Sequence, residues 1–135
     1  MKQQLVLSAL ATALLLFSML APTGCSYDSG ILTIEPPVID TTVQVSFSME
    51  IVPVFEQKCN FSGCHNTGGT PPDLTPANAY DDLIQGGYID TDVPADSELM
   101  QWLLGNRSRP MPVSGPDNDL NTKVLTWITQ GAKDN

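Results

Sequence analysis

Two stretches of this chain cannot continue a helix or a strand: NTGGTPPDL at residues 66–74 and NRSRPMPVSGP at residues 106–116. Each proline lacks a backbone donor and fixes its own φ, and each glycine takes conformations that other residues avoid. With 11 Pro and 10 Gly in 135 residues, the chain is restricted to short helices joined by stiff loops. Long uninterrupted helices and a large sheet are argued against on the same ground. No pair of alternating segments is joined by a hairpin signal, and no internal repeat is present. The expected class is therefore all-α, with three to four short helices and long loops.

Between the breaks, apolar spacing places the helices. Ile51, Val54, Phe55 and Lys58 fall at i, i+3, i+4 and i+7, which predicts a first helix over about Met49 to Lys58. Pro53 is tolerable only in a first turn, so the regular part should begin late. Thr75-Pro76 reads as an N-cap followed by proline at the first helical position, and PANAYDDLIQ should end at Gly86-Gly87. Asp96 or Ser97 should cap ELMQWLL, which stops at Gly105. A last helix from about Asp117 to Gln130 carries Leu120, Val124, Trp127 and Ile128 on one face and ends at Gly131. A domain of about 90 residues with about a dozen large apolar side chains has a thin core, and a prosthetic group filling its middle would help it.

The first 24 residues read as a leader rather than as fold. Lys2 is followed by an apolar run from Leu5 to Leu20 and then by APTGC, the layout of a secretory signal, and the run is short for a transmembrane span. Thr23-Gly24-Cys25 resembles the lipobox of bacterial lipoproteins, with Pro22 where such boxes usually carry Leu. Cys25 is then the lipidated N-terminus; ordinary cleavage nearby is the alternative. Residues 25–45, with Pro36-Pro37 and no helical period, read as a tether, and residues 46–135 as the domain. The expected location is exported and membrane-anchored, facing the periplasm or the cell surface. The full chain carries 15 acidic against 6 basic side chains, net −9, and loss of Lys2 with the leader takes this to −10. That balance excludes nucleic acid, whose phosphates need basic patches, and suits a basic partner.

Residues 58–65 read KCNFSGCH, and His65 is the one histidine in the chain. If Cys25 carries lipid, Cys59 and Cys64 remain as a pair in an oxidising compartment. Covalent haem attachment needs two thiols, which add to the porphyrin vinyl groups, and an imidazole directly after the second thiol; the common form is C-x-x-C-H. Here four residues, Asn60 to Gly63, separate the cysteines, so the extra residues must bulge, and Ser62-Gly63 suits a bulge. The sixth iron ligand should come from far along the chain. Met111, held between Pro110 and Pro112, is the candidate; Met100 sits among Leu99, Trp102 and Leu103 and reads as core, and Met49 is a weak third. Three alternatives stay open on the residues alone. The sixth position could be left free for a gas or peroxide. Cys59 and Cys64 could close a disulfide in a haem-free binding lipoprotein. Zinc would need a fourth ligand from the carboxylates.

Taken together, PVFEQKCNFSGCHN, the PPDL loop, the PMP loop and LTWITQGA resemble a small class I type cytochrome c domain on a bacterial lipoprotein, over about residues 50–132. The resemblance implies an electron carrier rather than a catalyst, with one covalent haem c, Cys59 and Cys64 as attachment points, His65 and Met111 as iron ligands, and redox proteins as partners. It implies that the first and last helices cross beside the haem, with Phe55 and Trp127 packed at or near the crossing. It implies that the carbonyl of Pro71 or Pro72 accepts the His65 Nδ1–H bond, which fixes the tautomer. Arg107, Arg109, Trp102 and Tyr88 are candidate donors to the haem propionates, since a buried carboxylate needs a partner. The lengthened cysteine spacing bears on attachment through Cys59 more than through Cys64. The acidic loop YIDTDVPADSE does not match the spacing of a calcium loop.

Overall fold

The computed structural model describes residues 39–135; the leader 1–24, Cys25 and the tether as far as Val38 lie outside the described residues. Four α-helices and no strand are present among the described residues, so the all-α class holds there. They are α1, Val52–Lys58; α2, Ala79–Gln85; α3, Glu98–Leu103; and α4, Asn118–Thr129. None is long and apolar enough to cross a membrane.

The helical path into α1 starts earlier than its apolar spacing implied. A π-helical turn, Phe47–Ile51, precedes it, and the Val52 N–H bonds back to the Phe47 carbonyl. In a regular helix the Pro53 ring would press on the carbonyl four residues back, and a wider turn upstream accommodates it. Ser46 and Glu50 cap this turn reciprocally. Ser46 Oγ accepts the Met49 N–H at 3.2 Å, and Glu50 Oε1 accepts the Ser46 N–H at 3.0 Å.

The other three helices end alike. Gly87, Gly105 and Gly131 have φ of +72°, +75° and +95°. The next N–H turns back onto the helix in each case: Tyr88 to Leu83 O at 3.1 Å, Asn106 to Gln101 O at 2.9 Å, and Ala132 to Trp127 O at 3.0 Å. These ends aim Tyr88 and the loop after α3 toward one side of the molecule. At its start α4 is capped by Asp117, whose Oδ1 accepts the Asp119 and Leu120 N–H groups at 3.1 Å. The same carboxylate pairs with Lys58, so the end of α1 is tied to the start of α4.

The core joins the two ends of the domain. Phe47 stacks on Trp127, with centroids 4.7 Å apart, and stands edge-on to Phe55 and Tyr80. Phe55 and Trp127, the pair expected at the crossing, are therefore bridged by a third ring. Trp127 donates its indole N–H to the Lys133 carbonyl at 2.7 Å. Asn135 Oδ1 accepts the Phe47 N–H at 2.8 Å, and Gln130 holds Val45 N and Val43 O at 3.0 and 2.7 Å. Val45 is buried and Ile39 packs against the core, so packing reaches upstream of Ser46.

Candidate functional site

α1 delivers the chain into Cys59, whose N–H bonds to Phe55 O at 2.8 Å. The four residues that follow loop out. Cys64 N–H closes a turn on Phe61 O at 2.8 Å, and His65 N–H returns to Cys59 O at 3.1 Å. Gly63, at φ +81°, makes the turn possible, and Phe61 stands exposed at its tip. The bulge expected at Ser62-Gly63 is thus formed, and its base is closed directly between Cys59 and His65.

After His65 the chain folds tightly back. Thr70 N–H bonds to Cys64 O at 2.7 Å and Leu74 N–H to His65 O at 2.8 Å. His65 Nδ1 lies 3.1 Å from the Pro72 carbonyl oxygen and 3.0 Å from that of Thr70. A carbonyl only accepts, so Nδ1 is the nitrogen that carries a proton here, which in the neutral ring leaves the lone pair on Nε2. Of the two prolines named from the sequence, Pro72 faces the imidazole nitrogen with its carbonyl, while Pro71 contributes to the wall. The PPDL loop is fixed by Asp73, whose carboxylate accepts the Thr75 hydroxyl and N–H and the Asn78 amide at 2.6, 2.9 and 2.9 Å. The Thr75 bonds hold the Asp73 carboxyl well below the usual range.

The opposite wall comes from α3 and the loop after it. Met111 N–H bonds to Trp102 O at 3.2 Å, which lays the loop along the helix end. Met111 is half-buried at the wall, whereas Met100 is fully buried in the core and Met49 is 79 % exposed. Of the four candidate propionate donors, Tyr88, Trp102 and Arg109 line the space and Arg107 does not. Arg107 is exposed and pairs with Glu98, and Trp102 has its indole N–H on Glu98 Oε1 at 2.8 Å. Neither donor is free toward the centre. Glu98 carries no motif of its own; its one signal in the sequence is the i, i+4 spacing to Trp102.

These walls enclose a cavity of about 370 Å³. Cys59, Cys64, His65 and Met111 all face it, among apolar walls that include Phe55, Leu74, Leu99 and Leu103. Among the described residues, its charged lining side chains are Lys58 and Arg109, and no Asp or Glu lines it. Both cysteines are free thiols, and burial pushes the Cys59 thiol up to about 11, against the opposing pull of Lys58. Among the described residues, no three His, Cys, Asp or Glu side chains gather as a metal-ion site. An iron already held in a porphyrin asks less of the protein: one imidazole and one thioether suffice as axial ligands. No protein family model matches the chain, and no curated protein or solved structure does either.

Proposed function

We propose that the chain is a mono-haem c-type cytochrome, a cytochrome c-like domain that carries single electrons. One observation supports this above the others. The two thiols, the imidazole and a thioether from a loop far along the chain face a single apolar cavity. A disulfide-stapled binding module would require none of these to meet Met111.

Bound haem would supply reversible one-electron chemistry at iron. The chain's own residues then have separate roles. Cys59 and Cys64 would hold the group through thioethers. His65 would offer Nε2 to the iron, with the Pro72 and Thr70 carbonyls placed to accept from Nδ1. Met111 would offer its thioether, a ligand type that raises the reduction potential relative to a harder one. The apolar walls exclude water. Arg109 offers positive charge to a carboxylate of the cofactor and has no carboxylate partner among the described residues, whereas Lys58 is already paired with Asp117. In this reading Cys25 carries the lipid, the domain works outside the cytoplasm, and its acidic surface meets basic redox proteins.

The test is purification from cells with an active c-type maturation system, followed by intact mass after denaturation and visible spectra in both oxidation states. The expected result is one haem retained through denaturation and a low-spin spectrum with a methionine–iron charge-transfer band that Met111→Ala abolishes. A haem-free chain carrying a Cys59–Cys64 disulfide, from cells that loaded a control cytochrome, would overturn the proposal.

A further inference from the structure

We propose that Glu98 is a positioning residue for Met111: its carboxylate clamps the methionine loop to α3 through Arg107 and so sets how firmly the sixth ligand is held. The loop is anchored to the helix by backbone bonds at two points. Asn106 N–H reaches Gln101 O at 2.9 Å, and Met111 N–H reaches Trp102 O at 3.2 Å. Among the described residues, 107–110 between these points make no backbone hydrogen bond, and their one side-chain tie is the Arg107 fork on Glu98. Arg107 Nε donates to Oε1 at 3.2 Å and Nη2 donates to Oε2, a two-point contact that fixes the guanidinium plane.

Glu98 does a second thing with the same group. Its Oε1 also accepts the Trp102 indole N–H at 2.8 Å, so one carboxylate holds a cavity-wall ring and the ligand loop together. The indole bond orients the carboxylate before Arg107 arrives, which reduces the side-chain entropy lost in forming the fork. Both partners are partly exposed, at 42 % and 38 %, so the pair contributes little to global stability. Its effect is local. Without it, the segment between the two backbone anchors opens more often, and the last anchor, at Met111 itself, carries the loop alone. A competing ligand gains apparent affinity in proportion to the fraction of molecules with the loop open.

The inference rests on the proposal that Met111 is the axial ligand, and the experiment separates the two. Wild type, Arg107→Ala and Glu98→Gln are prepared as loaded protein, with Lys123→Ala as the control, since Lys123 pairs with Asp119 on α4 outside the cavity lining. Three quantities are read: the methionine–iron band, the affinity of the oxidised protein for added imidazole, and Tm. Arg107→Ala and Glu98→Gln should bind imidazole roughly tenfold tighter, with a weakened band, while Lys123→Ala stays at the wild-type value. If either clamp variant fails to load, the other decides. An imidazole affinity within about twofold of wild type in the clamp variants overturns the inference, and so does a fall in Tm without a change in affinity. A wild-type protein with no haem or no methionine band removes the axial-ligand reading itself, before any variant is compared.

Discussion

A β-carbon at Gly69 would lie 2.2 Å from the Cys64 carbonyl oxygen, 2.6 Å from Asn66 Oδ1 and 2.9 Å from the Asn66 carbonyl oxygen. Two of these are backbone carbonyl oxygens, of Cys64 and Asn66 on either side of His65, and they cannot retreat without breaking the bonds they accept from Thr70 and Gly69. Gly69→Ala should therefore cost at least about 2 kcal/mol in urea unfolding. Gly68→Ala meets open space and suffers only its φ of +79°, so it should cost about 1 kcal/mol. Equal costs would mean that the loop is looser than its hydrogen bonds imply. Asp117 gives a second prediction at this scale. The Lys58 hydrogen bond, and then the Leu120 N–H, lower its carboxyl below the ordinary value of 3.8. The stabilisation is complete above that unfolded value and is lost as pH falls through the lower, folded one. Asp117→Asn keeps the cap but loses the charge, so it should be less stable than wild type near pH 7, by under about 1 kcal/mol because the pair is exposed, and the gap should close in acid. Urea curves at several pH values check this; a gap that widens in acid would refute it.

Among the elements, the turn before α1 carries the ring that joins the two ends of the domain. Phe47 touches three aromatic rings and is 2 % exposed. Phe47→Ala should cost about 3–5 kcal/mol, while Met49→Ala, two residues on and 79 % exposed, should change stability by less than about 0.5 kcal/mol. Thermal or urea unfolding of the two variants measures the difference. The contrast also shows what could be read from sequence. The stops at Gly87, Gly105 and Gly131 were legible because a left-handed residue after a helix is local chemistry; the start of the last helix near Asp117 was legible, but not the carboxylate cap that Asp117 makes there. Cys59, Cys64 and His65 were legible because they are nearly contiguous, and Met111 because prolines flank it. Phe47 was not, since its value lies in a stack with Trp127 across the length of the domain. The apolar period suggested a start near Met49, and Pro53 concealed that the chain was already helical. The choice between Arg107 and Arg109 was equally hidden: it turns on a carboxylate nine residues upstream of Arg107.

At the scale of the whole domain, the described residues line an apolar space of about 370 Å³ beside their hydrophobic core. Phe55, Leu74, Leu99 and Leu103 give it apolar walls. A domain this small has little stability in reserve. A covalently held planar group of low polarity would pack against these walls and link α1 to the loop after α3. Two observable differences should follow between loaded protein and the unloaded Cys59→Ala/Cys64→Ala variant. The loaded form should melt higher by more than about 10 °C, since for about 100 residues each kcal/mol moves Tm by roughly 4–8 °C. The unloaded form should bind an apolar dye such as ANS, and the loaded form should not, because the same surface is then covered. The dye separates this account from a simpler one in which the cysteine substitutions merely weaken packing. Buried Cys59 lost without a cavity being exposed would lower Tm with no dye signal, whereas an uncovered cavity gives both.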